Sequence, residues 1–166
     1  MNNRQQRQMS ESIYLGILLA IVGGYLDIYT YILRDKVFAN AQTGNMILLG
    51  LNIANGKLKE AMFYIIPILA FVLGVWISEW IKKNYKDNTA IHWRQISILV
   101  EIIVLFIVGF IPNGSFNMIA NVLISFVCSM QVESFRKMNG LIYATTMCTG
   151  NLRSATELLW NYKTTK

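Results

Sequence analysis

The residues best suited to chemistry are acids within apolar stretches and two copies of a small polar triplet. Asp27 interrupts the apolar segment 13–33, and a Thr-Gly-Asn triplet follows it and returns near the C-terminus. An ionisable group inside an apolar helix can bind a proton or a cation, and hydroxyl, amide and freed backbone groups can bind a small solute. The sequence therefore predicts one buried polar site. Its candidate residues are Asp27, Thr43, Gly44, Asn45, Gln131, Glu133, Thr149, Gly150 and Asn151.

The acids and the triplets recur at a constant spacing. A shift of 106 residues places Asp27 on Glu133, Tyr25 on Gln131 and the first triplet on the second. Such a coincidence indicates two internal repeats, which we place at 12–90 and 95–166, the second incomplete, within one integral membrane domain, 1–166. Repeated helices with polar interruptions in matching positions are typical of transporter sites near the middle of a bilayer.

The composition indicates a membrane protein. Of the 166 residues 54% are hydrophobic and only 14% are charged, whereas a soluble domain carries about 25% charged residues. The net charge of +6 comes from short runs beside apolar blocks rather than from a basic face, so no nucleic-acid partner is expected. Cys128 and Cys148 lack metal-site spacing, and with a single His92 no metal or cofactor is expected.

The apolar stretches predict an all-α polytopic transmembrane helix bundle of about five to six spans. A span needs about 20 residues. The expected spans are 13–33, 37–55, 61–81, 96–111 and 116–132, with a sixth begun or completed near 151–160.

Three features of these spans leave alternatives. A carboxylate in the middle of a span costs at least ~2.5 to 3.5 kcal/mol to insert, so the position of Asp27 needs an explanation. Asp27 either faces the bundle interior, which we favour, or lies near the outer end of the span and reaches the headgroups. The first triplet either breaks its helix, which we favour, or lies in an ordinary helix. Glu101 is either a second interior acid or, because it follows a basic loop, a residue that snorkels or forms an ion pair, which we favour.

Two stretches also resemble a known family. GYLDIYTYILRDKVFANAQTGNMILLG and MQVESFRKMNGLIYATTMCTGNLRSATE resemble the YoaK-like family of uncharacterised bacterial inner-membrane proteins. The resemblance covers nearly the whole chain and implies a multi-pass protein of the bacterial plasma membrane. It supplies no chemistry. Members usually continue for another apolar segment or two, so the chain looks shortened at its C-terminus.

The side of the membrane on which the N-terminus lies depends on the first triplet. If the triplet segment re-enters, the N-terminus is inside and the repeats are inverted; if it spans, the N-terminus is outside and the repeats are parallel. The resemblance favours full spans, which we therefore expect. In both cases the loop Lys82–Arg94 is cytoplasmic by the positive-inside rule.

Three functions fit these features. We favour a small-solute permease or secondary transporter with a midplane polar site, whose partners are the lipid bilayer and a small solute or a proton. The alternative is a non-transporting scaffold or accessory protein. An enzyme ranks last, because the sequence shows no nucleophile–base pair, HExxH or acidic metal motif. We therefore expect no enzymatic activity.

Overall fold

The structure, a computed structural model, describes residues 11–86, 92–138, 141–143, 145 and 148–165. Its six helices are α1 Ile13–Leu33, α2 Gln42–Ala54, α3 Leu58–Tyr85, α4 Trp93–Gly109, α5 Asn117–Ser134 and α6 Cys148–Thr164. Two short antiparallel strands, β1 Lys137–Met138 and β2 Leu141–Ile142, precede α6. The all-α class predicted from the sequence is confirmed.

Local signals explain where several helices begin. The Ser12 side chain accepts a hydrogen bond from the Leu15 amide and so caps α1. His92 and Gln95 form a reciprocal capping box at the start of α4. Gly56, with φ of 70°, makes the tight turn between α2 and α3, a conformation that glycine adopts without strain.

Helix α5 lies at the centre of the bundle, where it packs against α1, α3 and α4. Most of its residues are buried, including Ile124, Val127 and Cys128, none of which exposes any surface. Gly74 brings α3 against α5, because a Cβ atom there would collide with the Ser129 hydroxyl and the Phe126 carbonyl oxygen.

Hydrogen bonds between helices fix their relative directions. At one end the Ser134 hydroxyl of α5 meets those of Ser78 and Ser97, at 3.0 and 2.8 Å, where α3 ends and α4 begins. At the other end Arg34, just after α1, contacts the turn between α4 and α5 at Pro112. Thus α1 and α4 run one way, and α3 and α5 run the other way.

We name the two ends of the bundle by these residues. The basic end is where α1 begins, α3 ends, α4 begins and α5 ends; its Lys and Arg residues are Lys82, Lys83, Lys86, Arg94, Arg136 and Lys137. The Pro112 end is the opposite end, where α1 ends, α3 begins and α4 turns into α5.

Helix α2 does not cross the bundle. After α1 the chain reverses at Asp35 and Lys36, whose φ angles of 65° and 61° are in the left-handed region. It then returns to the level of Asp27, where the Asn40 amide donates to the carboxyl group. From there α2 runs its 13 residues, about 20 Å, back to the Pro112 end, where α3 starts. Helix α2 is therefore shorter than the full span expected at 37–55, and the reversal of the chain is compatible with the re-entrant alternative.

Other predicted spans differ in detail. Helix α3 continues through Pro67 and covers 28 residues, and α4 and α5 lie within a few residues of the spans predicted for them. The region 151–160, expected to begin or complete a sixth span, lies within α6, which starts at Cys148 and has no buried residue among those described. Strand β2 precedes α6.

By length and composition, α1 and α3 are able to cross a membrane. In the most apolar 18-residue stretch of each helix only 22% of the residues are buried, so most of the apolar side chains there face outwards. The other helices of the described part fall below that test of length and hydropathy.

Replacing Gly74 with Ala should separate α3 from α5, because the added methyl group meets backbone as well as a side chain. We expect a loss of about 1 to 3 kcal/mol of stability, the usual cost of overpacking, seen as a lower melting temperature in detergent. The matched control is Gly24→Ala in α1, where an added Cβ has no neighbour within 4 Å. Equal melting temperatures for the two variants would contradict the close α3–α5 contact.

Candidate functional site

The segment 37–41 is non-helical, with a bend at Ala39 and Asn40, and lies inside the bundle, so its backbone polar groups need partners there. Val37, Ala39 and Asn40 are buried, and the first two expose no surface. An unpaired buried backbone group costs about as much as a lost hydrogen bond, and water cannot supply partners within a bilayer. Side chains from α1 and from the first turn of α2 supply them instead. We call the segment 34–41 together with this first turn of α2 the re-entrant loop.

Asp27 holds the deepest part of the re-entrant loop. Its Oδ1 accepts hydrogen bonds from the backbone amides of Asn40, at 2.7 Å, and Ala41, at 3.2 Å. These amides lie just before α2, so the carboxylate also faces the positive end of that helix. Asp27 faces the interior, as favoured from the sequence, and its first role is to pair loop amides.

Asn45 pairs the other side of the loop. Its Oδ1 accepts from the Phe38 amide at 2.9 Å, and its Nδ2 donates to the Phe38 carbonyl at 2.7 Å and to Gln42 Oε1 at 2.8 Å. Gln42 in turn donates to the Ala39 carbonyl at 2.8 Å. Asn45 is fully buried, which an asparagine side chain tolerates because nearly all its hydrogen-bonding groups are engaged.

The Phe38 ring explains why residue 44 is a glycine. A Cβ atom at Gly44 would lie 2.8 Å from the Phe38 ring, which stacks on Tyr31 with 4.6 Å between ring centroids. The triplet is thus the first turn of α2, and the helix begins at Gln42, three residues before the predicted start near Asn45. Asn45 binds the loop, Gly44 makes room for Phe38, and Thr43 is exposed.

Arg34 anchors the loop at the Pro112 end. Its side chain is 2% exposed, and its five N–H donors meet the Tyr29 hydroxyl twice, the Ile111 and Pro112 carbonyls, and Asn117 Oδ1. Ile111 and Pro112 follow the end of α4, whose carbonyl groups carry partial negative charge. Arg34 is therefore a buried cation bound by neutral groups and a helix terminus.

The second acid of the interior is Glu101 in the middle of α4. It is 6% exposed, and its Oε1 has no hydrogen-bond partner. Cys128 of α5 is fully buried and packs in the same apolar cluster as Ala39 of the loop. The expected snorkelling or pairing of Glu101 with the basic loop is wrong, because the side chain is buried and forms none of the ion pairs found among the described residues.

The remaining predicted residues do not join Asp27. Gln131 is buried and donates to the Leu19 carbonyl at 2.9 Å, closer to the basic end. Glu133 lies at the basic end itself, 3.3 Å from Arg136 and beside Glu79. Thr149, Gly150 and Asn151 form the first turn of α6, an exposed helix. The structure therefore brings together only the first half of the predicted site.

One contact links the segment before α6 to the bundle. The Tyr143 hydroxyl donates to the Gly16 carbonyl of α1 over 3.4 Å, and burial raises the pKa of Tyr143, which keeps the hydroxyl a donor. Thr145 is buried nearby in sequence, and its hydroxyl has no partner among the described atoms.

Sequence reasoning missed Arg34 and Asn121, and it ranked the interior position of Glu101 second. Asn121 is buried and donates to the Arg34 carbonyl at 2.7 Å. Helical periodicity could have placed Glu101 inside, because Trp93, Ser97, Glu101 and Val108 share one face of α4 and all are buried. Little that is local distinguishes Arg34 from an interfacial cation, because three of its five hydrogen bonds are to residues 77 to 83 positions away.

Replacing Asp27 with Ala should leave the Asn40 and Ala41 amides without an acceptor. Each buried unpaired amide costs about 1 to 3 kcal/mol, so the melting temperature of the purified protein should fall markedly. Asp27→Asn retains an acceptor oxygen, so its melting temperature should fall less. The control Glu157→Ala, on exposed α6, should change little. If Asp27→Ala melted like the wild type, the carboxylate would not hold the loop.

Comparison with known proteins places the chain in a family. A family model described as "Protein of unknown function (DUF1275)" matches residues 15–166. The chain therefore belongs to the DUF1275 family, and the YoaK-like resemblance is consistent with that membership. No curated protein matches the chain, and no solved structure matches it.

Proposed function

We propose that this DUF1275 protein is a multi-pass protein of the bacterial plasma membrane that carries a small solute past the re-entrant loop. The proposal joins three features: an apolar exterior, a polar interior and a half-length helix that starts inside the bundle. Membrane transporters place interrupted helices at the substrate site, where freed backbone groups and helix termini can contact the solute. No step of this function requires an enzyme's chemistry, a metal or a cofactor.

The observation that carries the proposal is the distribution of polar and apolar side chains. The outer faces of α1, α3 and α4 expose large apolar residues such as Leu18, Trp76 and Phe106, at 60%, 74% and 69%. The interior holds the polar ones. Its buried polar and charged residues are Thr30, Arg34, Asn40, Asn45, Ser78, Ser97, Glu101, Asn117, Asn121, Ser125, Ser129, Gln131, Ser134 and Thr145.

This distribution suits a bilayer better than water. Soluble monomers rarely expose contiguous apolar patches larger than a few hundred Å². In a bilayer the same faces contact lipid without cost, and the polar groups must be satisfied inside the protein, as they are at Arg34 and along the re-entrant loop.

The charge distribution favours one orientation. Among the described residues outside α6, the basic end carries six Lys and Arg residues, against four at the Pro112 end, one of which is the buried Arg34. The positive-inside rule then places the basic end, with the loop Lys82–Arg94, in the cytoplasm. The re-entrant loop is entered from the outside, and the N-terminus is inside.

The repeats take a new meaning in this orientation. Helices α1 and α5 run in opposite directions, and each is followed by a helix whose first turn contains a Thr-Gly-Asn triplet. We therefore interpret α1–α2 and α5–α6 as inverted repeats, an arrangement that recurs in transporters. In this interpretation α2 is packed against the bundle, whereas α6, the matching helix of the second repeat, is exposed.

A second function, a non-transporting accessory protein, is favoured by one observation. The Asp27 carboxylate is engaged by two loop amides, which is a structural task and needs no solute. In that case the polar interior would only stabilise the bundle. The two functions differ in a single property, the movement of a solute across a sealed membrane.

The membrane orientation is tested by single cysteines in a variant that lacks Cys128 and Cys148. Position 36, near the start of the re-entrant loop, and position 57, just after α2, should both react with an impermeant maleimide added to intact cells. Asn113, in the turn at the Pro112 end, is the positive reference, and Lys83, at the basic end, should react only after lysis. Opposite labelling of positions 36 and 57 would mean that α2 spans the membrane.

Transport is tested in sealed proteoliposomes loaded with a pH-sensitive or cation-sensitive dye. Because the interior contains the carboxyl groups of Asp27 and Glu101, protons and alkali cations are the first solutes to try under an imposed gradient. Flux should rise with protein content, and Glu79→Gln, which changes an exposed ion pair with Lys82, should retain it. Correct orientation without flux of these solutes or of small amines would favour the accessory protein.

A further inference from the structure

Helix α6 displays apolar residues as one stripe along its length. The members of this apolar stripe recur at spacings of four and three residues, which place them on one face of a helix: Cys148, Leu152, Ala155, Leu159 and Tyr162. All five are exposed, Leu152 and Leu159 by 70% and 63%. Glu157, the single acid of α6, lies on the opposite face. Helix α6 is therefore amphipathic, and the described part of the bundle does not bury its apolar stripe.

The chain before α6 holds the start of this helix close to the basic end. The Tyr143 hydroxyl donates to the Gly16 carbonyl, and the Met138 sulfur lies so near Gly16 that a Cβ atom there would be 2.8 Å from it. Gly16 is in the first turn of α1. The five-residue step from Tyr143 to Cys148 spans at most about 18 Å when fully extended. In the proposed orientation α6 therefore begins near the cytoplasmic surface of the bilayer.

The length and the charges of α6 argue against two other positions. Its 17 residues make a helix of about 26 Å, and three of them are charged, whereas the hydrocarbon core is about 30 Å thick. The helix is therefore unsuited to cross the bilayer. A coiled coil with a second copy is also disfavoured, since 17 residues contain little more than two heptads and such pairing extends over about three or four.

Positive charge surrounds the place where α6 begins. Lys83, Lys86 and Lys137 of the basic end are exposed and form none of the ion pairs found among the described residues. Within α6, Lys163 borders the apolar stripe in a last turn that contains no acid. Lysine side chains near a membrane attract anionic headgroups, and this attraction acts within about 10 Å at 0.1 M salt. These charges complement a surface of anionic phospholipid.

We propose that α6 lies on the cytoplasmic surface of the membrane and binds anionic phospholipid. Its apolar stripe enters the boundary between headgroups and acyl chains, about 5 to 10 Å deep, and Glu157 faces water. Trp160 and Tyr162 are of the aromatic types enriched at this boundary. A short stripe suffices, because the contact of Tyr143 with α1 keeps the helix at the surface and at a high effective concentration there. The inference rests on the proposed membrane location and orientation but not on transport.

The test uses the full-length protein, without Cys128 and Cys148, in lipid nanodiscs of phosphatidylcholine with or without phosphatidylglycerol. A spin label is attached to one introduced cysteine at a time, and its collision rates with oxygen, which enters lipid, and with a water-soluble nickel chelate are measured. With phosphatidylglycerol, a label at Leu152→Cys or Leu159→Cys should favour oxygen and a label at Glu157→Cys should favour nickel, several-fold in each case. Without phosphatidylglycerol the difference between the two faces should shrink.

A matched pair of variants tests the apolar stripe with a label at Ala155→Cys. Leu159→Gln makes the stripe more polar and should raise the nickel collision rate at position 155 several-fold, whereas Asn161→Gln, on the polar face, should leave it unchanged. Lys163→Gln should weaken the dependence on phosphatidylglycerol. Because α6 has no buried residue among those described, none of these changes should lower the melting temperature of the bundle.

Three results overturn the proposal. If both faces favour nickel in the anionic nanodiscs, α6 lies in water. If the apolar stripe collides with neither reagent, protein covers it; dipolar broadening between labels then identifies a second copy, and its absence identifies the bundle of the same chain. If the stripe favours oxygen equally without phosphatidylglycerol, the charge of the lipid plays no part in its binding.

A label at Ile21→Cys, on the exposed outer face of α1, separates this inference from the proposed function. Collisions that favour oxygen at position 21, together with a water-exposed α6, overturn only the surface position of α6. Collisions that favour nickel at position 21 overturn the membrane location itself and the inference with it.

Discussion

The structure depends on pairing the backbone of five non-helical residues inside a helical bundle. Helices pair their own amides and carbonyls, whereas several backbone groups of the segment 37–41 are paired by side chains. Asp27 accepts from two of its amides, and Asn45 pairs both backbone groups of Phe38. These contacts allow α2 to begin at half depth. Asp27, an acid within an apolar helix, and Asn45, from the polar triplet that follows, therefore serve the same purpose. Both pair backbone groups of the segment 37–41.

The rest of the bundle holds this loop in position. Arg34 ties the entry of the loop to the turn between α4 and α5, and Asn121 of α5 binds the Arg34 carbonyl. Gly74 lets α3 approach α5 closely, which keeps the central helix in contact with its neighbours. Glu101 and Asn40 are then left facing inwards with unpaired oxygens. The loop therefore combines a paired backbone with the unpaired side-chain oxygen of Asn40.

How far the sequence could predict this arrangement depended on the distance between partners. The helical class, the family and the interior position of Asp27 follow from hydropathy and from local motifs. The return of α2 to the Pro112 end could not be predicted in this way. A 13-residue helix and the polar segment before it together have the length of a full span. The burial of Arg34 and Glu101 depends on contacts distant in sequence. The joining of the second triplet to the first site stays a prediction of the repeat, since α6 is exposed in the structure.

The central claim, that the backbone at Asn40 and Ala41 is buried and paired with Asp27, is tested most directly by amide hydrogen exchange in lipid nanodiscs. The account predicts that these two amides exchange as slowly as those within α5, at Val127 and Cys128. Exchange as fast as in the exposed turn at Asn113 would show that the loop lies in water, and it would contradict the account.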